Sequence, residues 1–208
     1  IWIRERGTVN EKMAKLKGIV FGQCAICKGQ ITVEYEDIPL EPGIKILYKP
    51  MGVIGCVMPS TTPVAPIIGN AMLALKGRNS VIIAPHPMCG RLSVKMVKLL
   101  REALESVGAP ADLIQCISEE YASREATNLM MSTCDACIST GGAGRVKAAY
   151  SSGKPAFGVG QGNVQEIVDL GISDAELERQ ATLCVAHRAK DNGVPCAGAQ
   201  TVHIHAQQ

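Results

Sequence analysis

The chain of 208 residues is 47% hydrophobic and 19% charged, enough apolar material for the core of one domain or one and a half, which excludes a disordered or fibrous chain. A net charge of +2 with interspersed signs and only 3% aromatic residues leaves neither a basic face nor a stacking platform, so nucleic acid is excluded as a partner. No apolar run reaches the ~18–20 residues of a membrane span, the opening Ile1-Trp2-Ile3-Arg4-Glu5-Arg6 lacks a secretory pattern, and nine cysteines spread through apolar segments suit reduced thiols, so a cytoplasmic setting is expected.

In chain order, Glu11 to Lys17 predicts a charged helix. The alternating segments Ile31–Tyr35 and Ile44–Tyr48, flanking a turn built on Pro39, Pro42 and Gly43, predict a β-ribbon. Gly52 to Met58 is a continuous apolar run, as expected of a strand buried on both faces of a parallel sheet. Pro59 to Pro63 breaks it and opens a helix with Ile67, Ile68, Ala71, Met72 and Leu75 at helical spacing, stopped by Gly77. Asn79 to Ala84 is the next strand, closed by Pro85-His86-Pro87. A helix from about Arg91 to Val107 carries Leu92, Met96, Leu99, Leu100, Ala103, Leu104 and Val107 as its apolar face. Asp112 to Ile117 predicts a third strand, Ser118 a cap for a helix from Glu119 to Met131, and Ala136 to Ser139 a fourth strand. Beyond lie a brief strand from Val164 to Val168, a helix opened by the capping-box spacing Ser173-Asp174-Ala175-Glu176, the turn Asp191 to Cys196, and a last strand near Thr201 to His205. Strands alternating with helices give an α/β chain with a mainly parallel sheet covered on both faces.

In such sheets ligands bind at the carboxyl ends of the strands, here Pro59 to Thr62, Pro85 to Pro87, Thr140 to Gly142 and Gly158 to Gly160. The third group opens Thr140-Gly141-Gly142-Ala143-Gly144-Arg145, a strand that feeds a helix through glycines. There the backbone N–H groups and the helix's positive end can approach a phosphate because no Cβ intervenes. The spacing is not that of the G-x-G-x-x-G dinucleotide fingerprint. Two C-x-x-C pairs, Cys24/Cys27 and Cys134/Cys137, have the ligand type of a Cys₄ zinc site. More than a hundred residues separate them and Cys137 falls in a buried strand, so no metal is assigned.

Taken together, Val57-Met58-Pro59-Ser60-Thr61-Thr62-Pro63, Ala84-Pro85-His86-Pro87, Thr140-Gly141-Gly142-Ala143-Gly144, Val146 to Pro155, Gly158-Val159-Gly160-Gln161-Gly162-Asn163 and Asp191-Asn192-Gly193-Val194-Pro195-Cys196 resemble, in order and spacing, the CoA-acylating branch of the aldehyde dehydrogenase superfamily. The branch includes acetaldehyde and propanal dehydrogenases and the aldehyde half of bifunctional aldehyde-alcohol dehydrogenases. The resemblance runs from about Lys49 to Gln200. It implies a Rossmann-type sheet plus a β-ribbon, with residues 1–50 as an N-terminal helix and ribbon, 51–157 as an NAD-binding domain and 158–208 as the start of a truncated catalytic domain.

The resemblance also implies NAD-dependent oxidation of a short-chain aldehyde to acyl-CoA through a cysteine thioester, with coenzyme A as co-substrate and a homo-oligomer or a C-terminal half as partner. The site residues it implies are Cys196 as nucleophile, Thr62 as a donor to the oxyanion, and Val57, Met58, Pro59, Ser60, Thr61, Thr62, His86, Gly142 and Gly160 around the cofactor. NADP stays open, because no acidic residue marks the end of the Val81 to Ala84 strand. Where hydrolytic aldehyde dehydrogenases carry a glutamate that activates water, this sequence has Gly158, which favours transfer to a thiol over hydrolysis. Thr62 stands where the family usually has asparagine, Ala143 where it has proline, and Ala197-Gly198-Ala199-Gln200 departs from the usual run after the nucleophile. Family members carry a much longer module, so a fragment, or a catalytically silent nucleotide-binding or oligomerisation module, is the alternative reading.

Overall fold

A computed structural model describes residues 36–37, 45–46 and 49–205 of the chain. β1 (Glu36–Asp37) pairs antiparallel with β2 (Lys45–Ile46), which accords with a ribbon; the predicted arm Ile31–Tyr35 and the helix at Glu11 to Lys17 lie outside the described residues.

Five parallel strands follow: β3 (Val53–Val57), β4 (Ser80–Ala84), β5 (Ile114–Cys116), β6 (Ala136–Thr140) and β7 (Ala156–Val159). Their order in the sheet is β5-β4-β3-β6-β7, so the chain winds outward from β3 in one direction, returns, and winds outward in the other. The reversal falls between β3 and β6, where the loops leaving adjacent strands part and open a crevice. Helices α1 (Ala65–Lys76), α2 (Gly90–Ser106), α3 (Arg124–Thr133) and α4 (Ala143–Tyr150) connect successive strands.

Side-chain alternation divides the core in two. On one face Ile54, Cys56 and Met58 join Val81, Ile83, Ile114 and Ala136 against Ile67, Ala71 and Ala74 of α1 and Val97 of α2. On the other, Val57, Ala84 and Cys137 pack with Met130, Met131 and Cys134 of the α3 end and Ala149 of α4. Gly55 faces that second layer, where a β-carbon would come within 3.1 Å of the Cys134 sulfur and of the Met130 methyl. The sheet's lower rim is tied by Asn79 Oδ1, which accepts from Met51 N at 2.6 Å and Gly52 N at 2.9 Å, and by Asp135 Oδ2, which accepts from Val53 N at 2.8 Å.

Several expected details differ. Of the expected apolar face of α2, Met96, Leu100 and Leu104 pack against the core beside the fully buried Ser93 and Val97, while Leu99, and Val107 just past the helix end, are exposed. Ser118 caps nothing; a single turn at Glu119–Tyr121 intervenes and Ser123 Oγ accepts from Ala126 N at 3.1 Å to open α3. β5 is shorter than expected, since Ala111–Leu113 form a turn.

Past β7, β8 (Val164–Ile167) pairs in parallel with β9 (Ala199–His203), and α5 (Asp174–Ala189) joins them. Ser173 Oγ accepts from Glu176 N at 3.3 Å, half of the expected capping box, while the Glu176 carboxylate is bonded by Arg179 and Gln180. No helix among the described residues is long and apolar enough to cross a membrane.

Candidate active site

A cleft of about 310 Å³ opens at the carboxyl ends of β3, β4, β6 and β7. Met58, Pro59, Ser60 and Thr61 come from the segment after β3, His86 follows β4, Thr140 to Gly142 follow β6, and Gly160 and Gln161 follow β7. Cys196 reaches the same cleft from a segment with no strand in the five-stranded sheet. Eight of the residues picked from the sequence therefore meet: Met58, Pro59, Ser60, Thr61, His86, Gly142, Gly160 and Cys196. Val57 does not, because its side chain is buried in the core on the α3–α4 face. Thr62, half-buried in the bend before α1, is not among the lining residues either.

The loops are held at their roots. Met58 N donates to Ala84 O at 3.0 Å and Gly141 N to Val159 O at 3.0 Å, extending the sheet's pairing into the cleft wall. His86 Nδ1 accepts from Met88 N at 3.2 Å, which puts the proton of a neutral ring on Nε2. The histidine is thus both a turn cap and a wall of the cleft. At Gly142 and Gly160 a β-carbon would meet nothing within 4 Å, so the backbone there is open to a ligand.

The Cys196 turn starts at the end of α5 with three consecutive left-handed residues, Asp191 (φ 48°), Asn192 (φ 59°) and Gly193 (φ 68°). Asn and Asp are the side-chain-bearing residues that tolerate this region best, and glycine has no penalty there. The reversal is closed by Val194 N to Asp191 O at 3.3 Å and Gly198 N to Pro195 O at 3.1 Å. Gln200 Nε2 donates to Gly162 O at 2.8 Å and ties the segment after Cys196 to the loop that carries Gly160 and Gln161. Beneath the turn, Glu166 on β8 accepts from His187 Nδ1 of α5 at 2.7 Å. Hydrogen bonds from the Cys184 thiol and from His187 hold the Glu166 carboxyl below its ordinary range, and the same carboxylate pushes the Cys184 thiol up.

Cys196 is exposed, unlike the core thiols. Burial pushes the thiols of Cys56 and Cys116 up to about 12 and that of Cys134 to about 11. Their thiolates are suppressed at neutral pH, and Cys137, also raised by burial, donates to Met131 O at 3.3 Å. Among the described residues no group of three or more His, Cys, Asp or Glu could hold a metal ion, and Cys24 and Cys27 lie outside them.

Among the described residues no Asp or Glu lines the cleft. Gly158 sits in β7 with its N–H donating to the Tyr150 hydroxyl at 3.1 Å. A β-carbon there would come within 2.5 Å of Val146 Cγ1 and 2.8 Å of Tyr150 Cε2, so the space beside it is filled by α4.

A second cavity of about 380 Å³ adjoins the first between α3 and α4, with Arg124, Asn128 and Met131 on one side and Gly142 to Arg145 and Ala148 on the other. Gly142 and Arg145 line both. The sequence reading passed over Arg124, Asn128 and Arg145. Only the position of Arg145 directly after the glycine turn signalled any of them.

The sequence profile described as the aldehyde dehydrogenase family matches residues 16–208. The chain is 41% identical to the succinate-semialdehyde dehydrogenase (acetylating) of Clostridium kluyveri over 98% of its own length and 44% of that protein's. Among solved structures, an acetylating aldehyde dehydrogenase from Geobacillus thermoglucosidasius superposes with a TM-score of 0.82 at 33% identity, over 94% of this chain and 43% of that one. The Rhodopseudomonas palustris propionaldehyde dehydrogenase, solved with bound CoA and an acylated cysteine, gives a TM-score of 0.69 at 35% identity over 75% of this chain and 35% of that one. The chain therefore spans less than half the length of the relatives it matches.

Proposed function

This chain belongs to the aldehyde dehydrogenase family, and we propose that it serves the CoA-dependent oxidation of a short-chain aldehyde, with Cys196 as the nucleophile and a nicotinamide dinucleotide as the oxidant. The observation that carries the reading is that an exposed cysteine, delivered by a left-handed turn, shares one cleft with the loops at the topological switch point, and that no carboxylate among the described residues lines this cleft.

The open backbone at Gly142 and Gly160, with Ser60 and Thr61 facing them across the cleft, suits an extended phosphate-bearing ligand. The Cys196 thiolate adds to the aldehyde carbon, making a C–S bond and leaving the charge on oxygen. Ser60, Gly142 and Gly160 would hold a nicotinamide dinucleotide, which when bound would provide the hydride acceptor needed to bring the adduct to the oxidation level of a thioester. The thiolate of coenzyme A then adds to the thioester carbon, the C–S bond to Cys196 breaks, and acyl-CoA leaves with the cysteine regenerated. Water competes poorly at this stage because no acidic side chain among the described residues stands in the cleft to take its proton.

Incubating the chain with propionyl-CoA and mapping acylated peptides by mass spectrometry tests the cysteine step alone. An acyl adduct on Cys196, absent from Cys196→Ala, is expected. Reduction of a pyridine nucleotide by propanal and coenzyme A then tests the whole reaction, with Cys196→Ala inactive. Equal rates in wild type and variant would remove Cys196 from the chemistry, and nucleotide binding without acylation would leave a nucleotide-binding module.

A further inference from the structure

We propose that the Gln161 carboxamide donates a hydrogen bond to the oxygen that becomes charged when the Cys196 sulfur adds to a carbonyl carbon, the role expected of Thr62. The inference rests on the reading of Cys196 as the nucleophile and adds a second catalytic residue to that step.

The chemistry sets where a donor must stand. Addition of the thiolate to an aldehyde, or to the thioester carbon of an acyl-CoA, makes a C–S bond, opens the C=O π bond and leaves the electron pair on oxygen. That oxygen is bonded to the same carbon as the sulfur, so its donors must border the cysteine, about 2.7–3.1 Å from the charge. One donor belongs to the turn itself. Gly198 N closes the turn on Pro195 O at 3.1 Å, and among the described residues the Cys196 N–H inside it has no acceptor. A second donor has to come from outside the turn, and Thr62 does not line the cleft.

Three observations point to Gln161. First, it lines the cleft together with Cys196. Second, its loop is packed on the cysteine turn: the next residue, Gly162, lies directly against the Cys196 backbone, and Gln200 Nε2 donates to Gly162 O at 2.8 Å to hold it there. The Gln161 side chain therefore leaves the backbone one residue, about 3.8 Å, from that contact. Third, its amide is uncommitted. The other described glutamines all spend theirs inside the chain, Gln115 on Asp112 O, Gln165 on Asn163, Gln180 on Glu176 and Gln200 on Gly162 O, whereas among the described residues the Gln161 amide has no partner. A carboxamide also suits the chemistry. Its N–H can donate to the oxyanion, and it has no basic group to take a proton from water, so it stabilises the charge without promoting hydrolysis.

Gln161→Met keeps the length of the side chain and removes the donor. Acylation of its Cys196 by saturating propionyl-CoA, followed by mass spectrometry of the cysteine peptide, should be slower than in wild type by about 10²–10³-fold, the usual cost of one lost oxyanion donor. Alkylation of Cys196 by iodoacetamide displaces iodide at a saturated carbon and forms no oxyanion, so it should keep its wild-type rate. The melting temperature should also hold, because Gln161 is exposed. Gln161→Asn, with the same amide on a shorter stem, should lose less than Gln161→Met. Acylation at the wild-type rate in Gln161→Met overturns the proposal and leaves Cys196 standing as the nucleophile. Acylation and alkylation slowed together overturn it as well, since Gln161 would then only hold the turn. Absence of an acyl group on wild-type Cys196 removes the nucleophile reading and this proposal with it.

Discussion

Gly162 lies so close against Cys196 that a β-carbon on the glycine would stand 2.8 Å from the Cys196 carbonyl carbon and 3.3 Å from its β-carbon. The contact joins the loop after β7 to the turn after α5, and the Gln200 hydrogen bond to Gly162 O braces the same junction. The placement of the sulfur therefore depends on a missing side chain thirty-odd residues away. Gly162→Ala should push the Cys196 turn outward by a fraction of an ångström to an ångström, and a displacement of that size costs about 10² in rate. Acylation of Cys196 by propionyl-CoA should slow by that order, with ADP affinity nearly unchanged and the melting temperature lowered, because the added carbon meets backbone that must shift. Unaltered acylation would mean that the junction does not set the sulfur's position.

Val146 and Tyr150 fill the place that a side chain at position 158 would need. A single Gly158→Glu change should therefore fail to install a water-activating carboxylate. Overpacking of this kind costs about 1–3 kcal/mol, or a fall of roughly 2–12 °C in melting temperature for a chain of this size. Hydrolysis of the acyl-cysteine should not rise. Trimming both obstructions in Gly158→Glu/Val146→Ala/Tyr150→Ala should recover part of the stability lost to overpacking. A single variant that melts like wild type and hydrolyses its thioester would refute the steric account.

The same burial that quiets the core thiols should make alkylation selective. Of the seven described cysteines, Cys196 is the exposed one, while Cys56, Cys116 and Cys134 are raised to about 12, 12 and 11 by desolvation. Iodoacetamide at pH 8 should modify Cys196 first among these seven, and the half-exposed Cys184, held as a thiol by Glu166, should follow more slowly. Peptide mapping against time gives the order. Modification of Cys56 or Cys134 ahead of Cys196 in a still-folded chain would contradict the packing described.

Much of the fold was legible because β3, β4 and β6 are apolar runs bounded by glycine and proline, and the loops at their carboxyl ends carry the residues that meet in the cleft. What escaped had physical reasons. The face of α2 was read correctly at Met96, Leu100 and Leu104, but periodicity weights large apolar residues and so took in the exposed Leu99 and passed over buried Ser93 and Val97. Ser118 and Ser123 both precede acidic residues, and only the intervening turn decides which one caps α3. Arg124 and Asn128 belong to the site through the adjacency of α3 and α4, a tertiary fact with no local spacing to announce it.

Acid stability offers a check on the last helix. Hydrogen bonds from Arg179, at 2.8 and 2.7 Å, and from Gln180, at 2.6 Å, hold the Glu176 carboxyl down to about 2. A carboxyl with a lower pKa in the folded state binds fewer protons folded than unfolded. Its contribution is therefore complete above the unfolded value of about 4.3 and disappears as pH falls towards 2. In wild type minus Glu176→Gln, the difference in melting temperature should be level above pH 5 and shrink between about pH 4 and 2. Because the pair is exposed, added salt should reduce the difference throughout. A difference that grows on acidification would reverse the assigned sign, and an NMR titration placing the Glu176 carboxyl above 4 would remove the premise.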